Sequence, residues 1–199
     1  MPKRLTMEEK KLLTIEKLLD SAEIVFSKKG YNGASVEEIA EEAGYSKGAV
    51  YSNFNNKENL FLALFDRRFN IEAGEWGNVF EEKLDNASRA EKVEELLITH
   101  QKRNVDTQWT MLMLEFTLFA LRNESAKQKL AERYQQIMLS MTESITEHFS
   151  NNGHDANKDQ IKEIVLSLLS LETGLKIIES LNPELIEDGF RSRTYKMFL

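Results

Sequence analysis

The sequence contains no cysteine, only two prolines and nine glycines among 199 residues. Without cysteine there is no disulfide framework, no thiolate nucleophile and no cysteine-held zinc, which agrees with a reducing cytoplasm. Pro183 is the only proline after residue 2, so little interrupts long helices. No run of 18 apolar residues occurs and the amino end has no apolar core, so neither a membrane span nor a secretory leader is expected. The three histidines, His100, His148 and His154, are too scattered for a metal site. H-E-x-x-H, Walker A and G-x-S-x-G motifs are missing, so neither catalysis nor a bound metal or cofactor is expected.

What is present is ordinary globular usage, 41% apolar and 30% charged, which excludes wholesale disorder. The length suits one domain or two small ones. A net charge of −7 argues against a phosphate-rich partner, because neutralising phosphates takes lysine and arginine. The charge is unevenly placed, however. Residues 1–68 hold eleven basic and eleven acidic side chains, so the whole acidic excess falls in 69–199. The first turns of the chain are basic, with Lys3, Arg4, Lys10 and Lys11 against Glu8 and Glu9. Residues 1–12 read as a solvated tail or as an arm that tracks phosphates.

Nearly every segment repeats its apolar residues with helical period, so the fold is expected to be all-α, with about nine helices. Ile15, Leu18, Leu19, Ala22, Val25 and Phe26 form a stripe that stops at Gly30. Ser35-Val-Glu-Glu38 is a capping box opening a short helix that ends at Gly44. Ser46 can cap a second short helix to about Asn53, and Asn56 a third that carries Leu60, Phe61, Leu64 and Phe65. Further patterns run from Ser88 to about Asn104, Met111 to Leu121, Ser125 to about Phe149 and Ile161 to Leu181. Asn182-Pro183 then supplies an N-cap and an N1 proline for a last helix. The expected organisation is a basic arm (1–12), a helix-turn-helix domain (13–68) and a larger helical domain (69–199).

Ser35 to Phe54 has helix-turn-helix dimensions: two turns of helix, a glycine turn, and a second short helix. A plain αα-hairpin fits those dimensions equally well. Two lysines favour a phosphate partner. Lys47 and Lys57 each follow a helix cap, where a cation opposes the macrodipole by roughly 0.3–1 kcal/mol, yet free N–H groups beside a lysine make a good phosphate site.

At this point the residues resemble a family. Ile15 to Arg68 is similar to the DNA-binding domain of TetR-family transcriptional regulators. The likeness is carried by Ala22, Phe26, Gly30-Tyr31, Ser35-Val36, the run from Ile39 to Gly48, Val50-Tyr51, Phe54 and Asn56-Lys57-Glu58-Asn59-Leu60. It implies that Lys47 to Asn53 form a recognition helix in the major groove, capped by Ser46, with Lys47, Gly48 and Ala49 nearest base edges. Ser35, Tyr51 and Lys57 would hold phosphates. Ala49 replaces a common Thr or Ser, and Ser52-Asn53 a more typical His and aromatic pair, so Asn53 would contact phosphate or adenine. Val50 and Phe54 read as core.

In the remainder, Ile161, Ile164, Val165, Leu168, Leu171, Leu175 and Ile178 form one helical stripe, and Leu166, Leu169, Ile177 and Leu181 a second. Two stripes suggest burial against the chain's own core and against another copy. The resemblance implies a homodimer through the last two helices, presenting two recognition helices to a palindromic operator. Deformable and aromatic side chains in the middle helices are what a cavity for an apolar or aromatic effector would be lined with. The candidate lining set is His100, Trp109, Met113, Glu115, Phe116, Tyr134, Met138 and Glu172, although core packing or a salt bridge is the commoner role for any one of them. The expected function is a ligand-released transcriptional repressor in the cytoplasm; a helical dimeric binding or adaptor protein without DNA function is the alternative.

Overall fold

The computed structural model describes residues 5–81, 105–151, 157–187 and 189–195. Among them are eight α-helices, one 3-10 turn and no strand. The helices are α1 (Met7–Gly33), α2 (Val36–Glu42), α3 (Lys47–Phe54), α4 (Lys57–Glu81), α5 (Val105–Leu121), α6 (Glu124–Asn151), α7 (Lys158–Leu181) and α8 (Phe190–Tyr195). The helix expected from Ser88 to Asn104 lies outside the described residues.

Three boundaries differ from expectation for local reasons. First, α1 starts inside the segment read as an arm. Thr6 accepts the Glu9 N–H at 3.2 Å while Glu9 accepts the Thr6 N–H at 2.7 Å, a complete capping box. Second, α5 starts about two turns before Met111. Third, Asn182-Pro183 does cap a helical start, with the Glu184 N–H donating to Asn182 Oδ1 at 3.0 Å, but only the 3-10 turn Pro183–Leu185 follows. Gly189, at φ 74°, then precedes the short α8.

The helices group into two compact units. The first comprises the chain up to Phe69 together with Leu112–Ala126. The sequence boundary at residue 68 therefore marks the first part of this unit and misses the second. Its core takes Leu18, Ala22 and Phe26 from α1, Ile39 from α2, Val50 from α3, Leu60, Phe61 and Leu64 from α4, and Leu112 and Phe116 from α5, all fully or almost fully buried. Each of these side chains apart from Ala22 contributes roughly 1.5–3 kcal/mol of burial. The Phe61 ring stacks on Phe116 at 4.2 Å between centroids and meets Phe26 edge-on at 5.5 Å. Arg67 adds an ionic strap from α4 to α1, donating to Asp20 at 2.7 Å and Glu23 at 2.9 Å, with Glu16 at 3.4 Å.

The second unit comprises Asn70–Met111 and the chain from Lys127 onward. Its buried side chains include Trp109, Leu130, Ile137, Ile161, Val165 and Leu175. Arg191 of α8 is also buried, donating to Glu172 at 3.1 Å and to Glu179 at 2.9 and 3.3 Å on α7. A buried guanidinium demands such partners, because an unpaired one costs several kcal/mol.

Candidate nucleic-acid interface

The segment between Ser35 and Asn56 is built from reciprocal caps. Ser35 accepts the Glu38 N–H at 3.2 Å, and Glu38 accepts the Ser35 N–H at 3.0 Å. Lys29 also donates to Glu38, and these bonds hold the Glu38 carboxyl below its ordinary pKa. At the other end of α2, Gly44 takes φ 70°. Its N–H bonds Glu41 O at 3.0 Å, and the Tyr45 N–H bonds Ala40 O at 2.9 Å, which together make a Schellman closure. The Tyr45 hydroxyl accepts from Thr14 at 3.4 Å, tying the turn back to α1. Ser46 then caps α3 by accepting the Ala49 N–H at 3.3 Å. Asn55, at φ 66°, ends α3, and Asn56 accepts the Asn59 N–H at 2.7 Å to start α4.

These caps leave one face of α3 outward. Val50 and Phe54 are buried, as expected, whereas Ser46, Lys47, Gly48, Tyr51 and Ser52 are exposed and Ala49 and Asn53 half-buried. Lys47 is ion-paired with Glu37 of α2 and lies 5.5 Å from the Tyr51 ring centroid. The pair raises the lysine pKa and lowers that of the carboxylate. Ser52 Oγ and Asn53 Nδ2 both donate to Ala49 O, at 3.0 and 2.8 Å. A Cβ on Gly48 would meet only Ser46 Oγ, at an ordinary 3.6 Å. Packing within the chain thus does not require glycine there, although glycine inside a helix costs about 0.5–1 kcal/mol relative to alanine.

Lys57, expected to hold a phosphate, has partners within the chain. Its ammonium donates to Tyr31 O at 2.8 Å and to Ala34 O at 3.1 Å, and it sits 4.6 Å from the Tyr31 ring centroid. Burial lowers its pKa. The side chain turns inward because the last carbonyls of α1 lack helical partners.

The expected effector-lining residues divide between the units. Glu115 and Phe116 have their partners in the first unit. The Glu115 carboxylate accepts the Tyr31 N–H at 2.7 Å, and Phe116 is fully buried in the first unit's aromatic core. Met113, half-buried, lies in the same unit. Trp109, Tyr134, Met138 and Glu172 lie in the second. Trp109 is buried, Met138 half-buried, Tyr134 exposed and Glu172 bonded to Arg191. His100 lies outside the described residues. Two features escaped sequence reading. The column Glu16, Asp20, Glu23, spaced four and three apart on α1, was a visible signal for the Arg67 strap. The Glu115 contact, 84 positions from its partner, left no local signal.

A short capped helix held by a Schellman turn, with its outer face free of packing duties, has the form of a helix-turn-helix motif. Residues 18–64 match the family described as "Bacterial regulatory proteins, tetR family". Over these residues, about a quarter of its length, the chain resembles this TetR family. It is 28% identical over 134 residues to the uncharacterized HTH-type transcriptional regulator YfiR of Bacillus subtilis, covering 67% of this chain and 64% of that one. It is 45% identical over 49 residues to the HTH-type transcriptional repressor AcnR of Corynebacterium diphtheriae, covering 25% and 26%. The chain thus aligns with less than two thirds of these relatives' length. In fold it resembles Salmonella enterica GusR, with a TM-score of 0.69, 20% identity, and coverage of 98% of this chain and 97% of that one.

Proposed function

We propose that the chain is a sequence-specific DNA-binding transcriptional regulator, a repressor released from its operator by a small apolar or aromatic molecule. The observation that carries this reading is the outer face of α3: a capped helix with an unneeded glycine at its second position and a lysine at its first. Gly48 lets backbone approach base edges, and Ala49 can meet a thymine methyl. Lys47, Tyr51 and Ser52 contact phosphates beside the Ser35 and Ser46 helix ends, and Asn53 exchanges its bond to Ala49 O for phosphate or adenine. Phosphate contacts fix register, and base contacts read sequence.

The chain works as a homodimer in this reading. The buried side of α7 carries Ile161, Val165 and Leu175, while Leu166 and Leu181 of the second stripe remain 53% and 80% exposed. Pairing α7 and α8 with their copies would cover that side. Two recognition helices then address half-sites about 34–36 Å apart. Effector binding falls to the second unit, where Trp109 and Met138 are the candidate contacts. To move occupancy from 1:99 to 99:1, the effector must prefer the released state by about 5.5 kcal/mol. Among the described residues no helix is long and apolar enough to cross a membrane, and a regulator that binds chromosomal DNA would work in the cytoplasm.

The test is selection of bound duplexes from a random DNA pool, repeated with a compound library present. A palindromic consensus whose binding weakens steeply with salt supports the reading. Failure to enrich any sequence refutes it.

A further inference from the structure

Helix α1 breaks at Gly30, whose φ of 71° and ψ of 171° are not helical. One turn follows, from Tyr31 to Ala34, with the Ala34 N–H donating to Gly30 O at 3.2 Å. Gly30 is therefore the cap residue of that turn, yet it has no side chain with which to accept a free N–H. Glu115 supplies the missing oxygen from α5, accepting the Tyr31 N–H at 2.7 Å. A Cβ on Gly30 would overlap this carboxylate, whose carbon lies 2.9 Å from the place it would occupy. At the other end of the turn, Lys57 of α4 binds the Tyr31 and Ala34 carbonyls. The turn thus has an anion at its N–H end and a cation at its carbonyl end, both with the sign its dipole favours. The Tyr31 ring is fixed as well, 4.9 Å from both Phe116 and Phe119 and 5.3 Å from Phe61.

What leaves this turn is the recognition motif itself. Ala34 is followed immediately by Ser35, the cap of α2, so the turn sets the direction in which α2 and α3 depart from α1. Both charges come from helices other than the two that the turn joins. We propose that Glu115 and Lys57 are positioning residues for DNA recognition, clamping the Tyr31–Ala34 turn from its two ends and so fixing how α3 is presented, without themselves touching DNA. This rests on the DNA-binding reading above.

The experiment uses the full-length chain and a duplex selected by the wild type from a random pool, with a random-sequence duplex as control. Glu115→Ala should weaken binding to the selected duplex at least tenfold while changing random-duplex binding less than twofold, and Glu115→Gln, which keeps an acceptor, should fall between. Amide hydrogen exchange at Tyr31 should accelerate at least tenfold in Glu115→Ala, with the α1 amides before Gly30 unchanged. Lys57→Ala should likewise lose selective binding while leaving the salt slope unaltered, whereas a phosphate-contacting lysine would flatten that slope by about one. Selected-duplex binding within twofold of wild type in Glu115→Ala overturns the proposal. So does an equal loss for both duplexes that follows the loss of folded protein, since that is a purely structural role. If the wild type enriches no duplex, the DNA reading fails and positioning falls with it. The exchange data then report separately whether the clamp exists.

Discussion

Truncating Phe116 to alanine decides whether this part of α5 is core of the recognition unit or wall of an effector cavity. The ring is fully buried, stacks on Phe61 at 4.2 Å and meets Tyr31 edge-on at 4.9 Å. Removing a buried phenyl ring from a packed core costs about 3–5 kcal/mol. Its aromatic pairing with Phe61 is worth about 0.5–1.5 kcal/mol beyond buried area. Against a typical domain stability of about 5–15 kcal/mol, the loss is a large fraction of the whole. Urea unfolding by circular dichroism, together with hydrogen exchange in α1 to α3, should show that loss in the helix-turn-helix amides. A cycle with Phe61→Ala should return a coupling energy of about 0.5–1.5 kcal/mol. A loss below about 1.5 kcal/mol with additive single changes would show that the site collapses freely, as a cavity lining does, and the core assignment would be wrong.

Four further outcomes follow from the same geometry. Gly48→Ala should stabilise the fold by about 0.5–1 kcal/mol yet reduce selected-duplex binding at least tenfold; retained binding in a fluorescence anisotropy titration would show that DNA does not approach that backbone. Glu37→Gln releases Lys47 from its ion pair, so random-duplex affinity should rise by up to about fivefold and the salt slope steepen by about one phosphate equivalent; an unchanged slope refutes the exchange of carboxylate for phosphate. Glu38 is held below its ordinary value of about 4.5 by Lys29 and Ser35, so its stabilisation of α2 is complete above that pH and disappears as pH falls through the lower folded value. An acid titration of the Ser35 amide by NMR should show this, and Glu38→Gln should abolish it. Leu166→Glu combined with Leu181→Glu should yield monomers in sedimentation velocity, whereas an intact dimer places the interface elsewhere.

Elements set by neighbours in sequence were legible before the structure. The Ser35 box, the Gly44 turn and the Ser46 and Asn56 caps each depend on residues within five positions, and Val50 and Phe54 stand four apart on one face of α3. The same logic was available at Thr6-Met-Glu-Glu9, where counting lysines concealed a capping box. Lys57 shows where local reading stops. A cation at a first helical position looks misplaced until the Tyr31 and Ala34 carbonyls stand beside it, and those lie 26 and 23 residues away. Glu115 and Phe116 were read as effector contacts because an apolar helix with one carboxylate has the composition of a pocket wall. Which partners such a helix meets is decided by tertiary packing, and no periodicity encodes that. The proline at 183 marks a helical start but not its length: the 3-10 turn ends at Leu185, and α8 begins only after Gly189.

The division of the first unit between residues up to Phe69 and Leu112–Ala126 also sets a schedule for synthesis. When Phe69 has emerged, Tyr31 and Phe61 still lack Phe116, and the Tyr31 amide lacks its carboxylate. At about 5–20 residues per second, the ribosome needs roughly 3–11 s to deliver the segment ending at Ala126. During that interval the nascent recognition motif has its caps but not its aromatic seat. On the DNA-binding reading proposed above, a translation product ending near Phe69 would carry α3 and its caps without the aromatic contacts and the carboxylate that fix the Tyr31–Ala34 turn.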